Sequence, residues 1–241
     1  MIIYSGPSLI DGKPIVAIAI PKKSKNTKTG PMVQTYIIRA DISPLEASKS
    51  GADYSICGNC KHRGQATYAA HKKQAEGRSC YVNLGQGPTI VWKALQRGFY
   101  PTVSGHDAIA AIGAGRMVRL GTYGDPAAVP SYIWESLLSR ASGHTAYTHQ
   151  SGVASAQSRP DYMMISADDL PQAQDAWQAG NRTFRVIKNV SEIVKGSEII
   201  CPASKEAGFR TTCNSCGLCG GAAIKAKSIA IVDHGPLRKR A

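Results

Sequence analysis

The seven cysteines of this chain fall into two groups, and no other feature of the sequence constrains the fold as much. One group has the spacing C-x2-C-x19-C, and the other has the spacing C-x11-C-x2-C-x2-C. The first cysteine set is Cys57, Cys60 and Cys80, and the second cysteine set is Cys201, Cys213, Cys216 and Cys219. Cysteines that serve as small core residues would be scattered, so this grouping indicates two places where thiolates converge on metal.

The second set has a complete ligand count for a metal centre. Three of its thiols lie within seven residues, and Gly217, Gly220 and Gly221 permit tight turns around an iron–sulfur cube. Cys201 ends a predicted strand and supplies the fourth ligand. Four thiols also suit a structural zinc ion, but zinc ribbons commonly pair two separate C-x2-C turns. The run of three cysteines therefore favours iron–sulfur over zinc.

The first set lacks a fourth cysteine, so its chemistry depends on what completes it. With His62 or His71 it would form a closed Cys3His zinc site. Without a histidine, Cys57, Cys60 and Cys80 would hold a [4Fe–4S] cluster that leaves one iron open to a ligand. A third interpretation is that all seven thiols serve one extended site, and the spacing is compatible with each of these.

Composition limits the class of protein. Of the 241 residues, 43% are hydrophobic and 19% are charged, which predicts one globular core with appendages rather than a disordered chain. The apolar run at residues 15–20 is too short to span a bilayer, and residues 1–13 lack the apolar stretch of a signal peptide. We therefore expect a cytoplasmic protein with no membrane partner and with reduced cysteines.

The charge predicts a polyanionic partner. Lys and Arg outnumber Asp and Glu by 29 to 16, which gives a formal net charge of +13. The excess is concentrated at residues 22–28, 61–73 and 238–240. Such a potential attracts nucleic acid or nucleotides, although a basic, well-solvated surface would have the same composition.

The apolar runs predict an α/β fold that begins with a β-hairpin. Residues 14–20 and 32–39 are β-rich and flank a basic loop, and Ser43 and Pro44 provide a helix start. Further strands are predicted at residues 117–120, 145–148, 162–166, 183–187, 198–201 and 228–232. Helices are predicted at residues 88–97, 106–112, 129–141, 168–179 and 191–195. This alternation indicates a parallel sheet, here a partial (β/α) barrel-like sheet.

Three segments follow from this organisation. Residues 1–54 carry the hairpin and the first helix. Residues 55–200 form the α/β barrel-like core with the first cysteine set. Residues 201–241 form the C-terminal cysteine-rich metal-binding segment with a basic tail.

Polar side chains follow several of the predicted strands. Asp125 and His149 each come just after a strand, and Tyr147 lies two residues before His149. Active sites of barrels and open α/β sheets gather at the carboxyl ends of the strands, so these three residues are the candidate catalytic groups. Asp168 and Asp169 follow the next strand, where Asp168 is interpreted as a helix N-cap. The alternative for this pair is a metal or acid/base site.

Together, three features resemble the radical S-adenosylmethionine superfamily. They are the C-x2-C pair, the Cys80-Tyr81 dipeptide and the segment RLGTYGDP at residues 119–126. The resemblance implies a partial (β/α)6 barrel, a catalytic [4Fe–4S] cluster on the first cysteine set and an auxiliary cluster on the second. It also implies that bound S-adenosylmethionine contacts the segment that contains Gly121, Tyr123 and Gly124.

Two functional hypotheses result. One is an iron–sulfur enzyme that performs radical chemistry on a nucleic-acid-related substrate. The other is a zinc protein without catalytic activity that binds DNA or RNA, for example in phage replication or regulation. The chain is similar in character to uncharacterised proteins encoded by bacteriophages, and phage encoding would place it in the host cytoplasm.

Overall fold

The computed structural model describes residues 1–22, 26–156 and 160–233. The basic run at 238–240 and part of the run at 22–28 therefore lie outside the described residues. In the part of the chain that the structure covers, no helix is long and apolar enough to cross a membrane.

The first sheet confirms the predicted N-terminal hairpin and adds a strand before it. Its strands are β1 (Ile2–Pro7), β2 (Pro14–Ile20), β3 (Val33–Arg39), β4 (Met117–Tyr123) and β5 (Gly143–Thr145), in that order. The first three strands are antiparallel, whereas β3, β4 and β5 are parallel. Strand β2 is buried along nearly its whole length, which explains its continuous run of Ile, Val and Ala.

The second sheet is parallel throughout. Its strands are β6 (Tyr147–Thr148), β7 (Met164–Ala167), β8 (Thr183–Ile187), β9 (Glu198–Ile200) and β10 (Ser228–Val232), in the order β6-β7-β8-β10-β9. Only Ala146 separates β5 from β6, so one chain segment belongs to both sheets. From β3 to β8, neighbouring strands are parallel and follow one another in chain order. The predicted α/β class with a parallel sheet is confirmed.

Helices connect most of these strands. They are α1 (Pro44–Ser50), α2 (Tyr54–Cys57), α3 (Gly87–Gln96), α4 (His106–Gly113), α5 (Ser131–Leu138), α6 (Ser151–Ala156), α7 (Leu170–Gln178) and α8 (Cys213–Cys216). Short 3-10 turns occur at Lys61–Arg63, Pro126–Ala128, Pro160–Tyr162 and Val190–Glu192. The last of these replaces the helix predicted at 191–195.

Capping residues explain where two helices begin. The Ser43 hydroxyl accepts a hydrogen bond from the backbone N–H of Glu46, as the sequence predicts. The prediction that Asp168 caps α7 is wrong, because Asp169 accepts the hydrogen bond from the backbone N–H of Gln172 at 2.9 Å. Asp168 is therefore available for other contacts.

Helices α4 and α5 cover the first sheet over a large apolar core. Trp134 of α5 is fully buried there, and its indole N–H donates to the carbonyl of Pro126 at 2.8 Å. This contact holds the turn after β4 in place, and that turn begins with Asp125.

Candidate functional site

Three polar residues meet at the carboxyl ends of β4, β6 and β7. Asp125 lies two residues beyond β4, while His149 and Asp168 directly follow β6 and β7. The Asp125 carboxylate accepts the backbone N–H of His149 at 2.8 Å, and Nε2 of His149 lies 3.3 Å from Oδ1 of Asp168. The structure thus brings Asp125 and His149 together and adds Asp168, which sequence reasoning had assigned to a cap.

The first cysteine set lies at this same edge. The backbone N–H of Asp125 donates to the carbonyl of Ile56 at 2.6 Å, and the Gln150 side chain donates to the carbonyl of Cys57 at 3.2 Å. The Cys60 thiol forms a hydrogen bond with the His149 imidazole. Backbone and side-chain contacts therefore join α2, which carries Cys57, to two strand ends.

A long loop returns Cys80 to its partners. The backbone N–H groups of Ser79 and Cys80 both donate to the carbonyl of His62, at 3.1 and 2.9 Å. The Arg63 guanidinium pairs with the buried Asp53 carboxylate at 2.7 Å and fixes the start of the loop. The 19 residues between Cys60 and Cys80 are thus an ordered connection that places Cys80 beside Cys60.

The environment of the first set is suited to binding a cation. Burial raises the pKa of Cys57 well above its usual value, and the nearby groups Asp53, Cys60, Cys80 and Asp125 raise it further. Burial also raises the pKa of Cys80, although Arg78 opposes this shift. A bound cation would relieve the mutual repulsion of these groups on ionisation.

The contacts of His149 favour its protonated form. Burial alone would lower its pKa, but its contacts with Asp168 and Cys60 outweigh burial and raise the pKa to about 10. The pKa of Asp168 is lowered, because the contact with His149 and the charge of Lys61 outweigh its own burial. The pair can therefore hold or transfer a proton beside the thiols.

Tyr147 lies at the other cysteine set. Its hydroxyl forms a hydrogen bond with Cys219, and its ring packs against Phe184 with centroids 4.5 Å apart. Strand β6 ends at Thr148, so the His149 side chain lies beyond the strand and does not share the direction that the strand gives to Tyr147. The structure does not bring Tyr147 to the Asp125 and His149 edge.

The second cysteine set packs against an apolar face of the second sheet. Cys201 and Cys219 are buried, and they cluster with Met164, Ile229 and Ile231. Burial raises the pKa of Cys219 to about 12, and the nearby thiols of the second set add to this shift. Electrostatic interactions connect the four thiols with one another.

Arg182 holds the loop that carries Cys219. Its guanidinium donates to four backbone carbonyls at 2.6 to 2.9 Å, namely those of Leu218, Gly221, Ala226 and Lys227. The N–H donors of one guanidinium can thus satisfy several carbonyl oxygens of a tight loop at once. The sequence offered no local signal for this role.

Comparisons with protein-family models, with curated proteins and with solved structures give no match.

The end of β4 and the residue after it have structural reasons for their glycines. Gly121 and Gly124 have φ values of 67° and 85°, and a side chain at Gly124 would meet Ile37. Tyr123 between them is buried, and its hydroxyl has no hydrogen-bond partner among the described residues. That hydroxyl interacts electrostatically with Cys57 and Cys80. Tyr123 therefore belongs to the surroundings of the first set.

One group of potential metal ligands at this edge contains no cysteine. Among the residues that the structure describes, no three cysteine sulfurs lie within 4.8 Å of one another. Ligand atoms of His62, His149 and Asp168 do meet that distance. From the sequence, His62 is expected only as a partner of the first cysteine set, whereas the Asp168-Asp169 pair is the sequence signal for Asp168.

Proposed function

We propose that this protein is an iron–sulfur enzyme of the radical S-adenosylmethionine type that acts on a nucleic-acid-related substrate. One observation carries the proposal: Cys57, Cys60 and Cys80 lie at the carboxyl edge of the sheet together with Asp125 and His149. The catalytic groups of α/β proteins gather at this edge of the sheet, whereas a metal site that only stabilises the fold can lie anywhere.

The strand succession supports the barrel-like part of the proposal. Strands β3, β4 and β5 are parallel neighbours in chain order in the first sheet, and β6, β7 and β8 are so in the second. Each succession is typical of part of a (β/α) barrel, although β10 lies between β8 and β9.

The run of three cysteines in the second set supports iron–sulfur rather than zinc. Zinc ribbons commonly pair two separate C-x2-C turns. Consecutive thiolates can instead each bind a different iron of a [4Fe–4S] cluster. The first set would hold the catalytic cluster and the second set the auxiliary cluster.

The residues of the edge have distinct roles in this proposal. When bound at the open iron, S-adenosylmethionine would supply a radical on one-electron reduction by an external low-potential donor. Asp125 orients His149 through its backbone N–H, and without a bound metal ion His149 with Asp168 holds a proton beside Cys60. Gly121, Tyr123 and Gly124 stay the proposed contacts of the cofactor.

The loop between Cys60 and Cys80 supports a nucleic-acid partner. It exposes Lys61 and Lys73, and the side chain of Tyr68 is 93% exposed. Exposed aromatic rings interleaved with basic residues are typical of single-stranded nucleic-acid contacts. Because this loop borders the first set, a bound strand would lie next to the proposed catalytic edge.

Product analysis tests the enzyme proposal. After anaerobic reconstitution with iron and sulfide, the protein plus dithionite and S-adenosylmethionine should release methionine and 5′-deoxyadenosine. Cys57→Ser should abolish this release, whereas the exposed control Ser191→Ala should keep it. A colourless wild-type protein that retains stoichiometric zinc and cleaves nothing would instead favour the zinc-binding nucleic-acid-binding alternative.

Salt dependence tests the partner. Binding of single-stranded oligonucleotides should weaken steeply as salt rises, and Lys73→Met should reduce the slope by about one phosphate contact. Binding that is absent or independent of salt would contradict a nucleic-acid partner.

A further inference from the structure

We propose that His62, His149 and Asp168 form a binding site for a divalent transition-metal ion, distinct in its ligands from both cysteine sets. One ligand atom from each of the three residues lies within 4.8 Å of the others. Nε2 of His149 and Oδ1 of Asp168 are 3.3 Å apart. Two ligands on one ion, each at about 2.0–2.2 Å from it, are separated by about this distance.

The Asp168 carboxylate supplies an independent indication. Its Oδ1 atom is buried and has no hydrogen-bond partner among the described residues. A buried carboxylate oxygen without a hydrogen bond needs a compensating positive charge. His149 and Lys61 supply part of that charge at 3.3 and 3.6 Å, and a metal ion would supply it directly. Nε2 of His149 lies at an ion-pair distance of 3.3 Å from this oxygen.

The surrounding contacts orient the three ligands. Nδ1 of His62 lies 2.8 Å from the Ser79 hydroxyl, which leaves Nε2 as the free ring nitrogen. Metal-binding histidines usually make such a second contact through the other ring nitrogen. The backbone N–H of Asp168 donates to Gln172 at 3.0 Å, and the backbone N–H of His149 donates to Asp125 at 2.8 Å.

Lys61 is the competing cation. Its ammonium donates to the backbone carbonyl of Asp168 at 2.6 Å and lies 3.6 Å from Oδ1. The Lys61 side chain is 49% exposed, so it can turn to solvent when an ion binds. Without an ion, Lys61 and protonated His149 offset the charge of Asp168, and this ion pair is the alternative to a metal site.

The ligand types define the class of ion. Two imidazoles and one carboxylate suit Zn²⁺, Fe²⁺ or Mn²⁺ and leave positions open for water or substrate. An open site at this edge could hold a phosphate oxygen of a nucleic-acid strand beside the first cysteine set. The ion site itself does not require that either cysteine set binds iron.

Mn²⁺ is the appropriate probe, because it prefers oxygen and nitrogen ligands and avoids thiolates. We expect the full-length protein to bind one Mn²⁺ per chain, measured as loss of the free-ion EPR signal. His149→Asn and Asp168→Asn should lose this binding, while His71→Asn, an exposed histidine of the same loop, should retain it. Ser79→Ala should weaken binding by about 10- to 100-fold, because it removes only the contact that orients His62.

A measurement on the wild-type protein tests the site without depending on whether the variants fold. The electron spin echo of bound Mn²⁺ should show modulation from imidazole nitrogen. Binding without that modulation, equal binding by the His149 and His71 variants, or no binding would overturn the site and leave the ion pair as its explanation. Iron and sulfide measured on the same samples report the proposed clusters separately, so either proposal can fail alone.

Discussion

The two cysteine sets occupy contrasting environments. The first set has three thiols at the carboxyl edge of the sheet, next to Asp53, Asp125 and His149. The second set has four thiols, of which Cys201 and Cys219 are buried against Met164, Ile229 and Ile231 on an apolar face. An incomplete ligand set among ionisable groups suits reactivity, and a complete set among apolar groups suits a stable centre. The residues that surround the thiols therefore distinguish the two sites more clearly than the number of thiols does.

One residue connects the two regions. Arg119 of β4 donates to the Tyr81 hydroxyl at 2.6 Å, and Tyr81 follows Cys80. The same guanidinium interacts electrostatically with Tyr147 and Cys213. The two sets are therefore neighbours around one strand, and variants can be chosen to affect one and spare the other.

The largest effect is expected from Arg185→Met. Arg185 pairs with Glu198 at 2.6 Å, and their side chains are 5% and 0% exposed. Removing the guanidinium leaves a buried carboxylate unpaired, which should cost about 3–5 kcal/mol in the free energy of unfolding. Because Glu198 begins the strand before Cys201, metal at the second set should be lost first. Urea unfolding and metal analysis measure the two effects. An unchanged free energy of unfolding would contradict the view that buried contacts stabilise the second set.

Arg182→Met should have the next largest effect. It removes donors from four carbonyls around Cys219, at a cost of about 3 kcal/mol. Metal bound by the second set should fall while metal bound by the first set remains. Arg210→Met, at an exposed position of the same segment, is the matched control. Equal loss from both cysteine sets would show that they are not independent.

Asp125→Asn should weaken the first set alone. The buried carboxylate accepts N–H groups of Ala127 and His149, and an amide places a donor against one of them. We expect a loss of about 1–3 kcal/mol in thermal unfolding, together with reduced cofactor cleavage. Metal in the second set should be unchanged, and its loss would argue against separate sites.

Lys72→Met should have almost no effect. Lys72 lies in the loop between Cys60 and Cys80, where it pairs with Glu76 at 3.1 Å on the surface. Exposed pairs of this kind contribute about 0–1 kcal/mol. A large loss of stability or of metal at the first set would show that surface charge, rather than buried contacts, holds the loop.

Local patterns predicted much of this arrangement. The cysteine grouping, the Ser43 cap and the bounds of β8 and β10 depend on neighbouring residues, and the sequence displays them directly. The proximity of Asp125 and His149 is predictable because parallel strands carry their following residues to one edge.

The features that the sequence did not predict depend on packing between residues that are distant in the chain. Asp168 and Asp169 are chemically alike, and only backbone geometry selects Asp169 as the cap. The direction of Tyr147 depends on strand register, and the carbonyls that Arg182 binds lie 36 to 45 residues away in the chain. None of these choices has a short-range signal.

The central claim is that the first cysteine set holds a cluster with an open iron. The most direct measurement is EPR of the reduced, reconstituted protein with and without S-adenosylmethionine. We expect one cluster signal to shift when S-adenosylmethionine is added, and this shifting signal should be absent in Cys57→Ser. A wild-type spectrum that S-adenosylmethionine leaves unchanged, or a shift that persists in Cys57→Ser, would contradict the account.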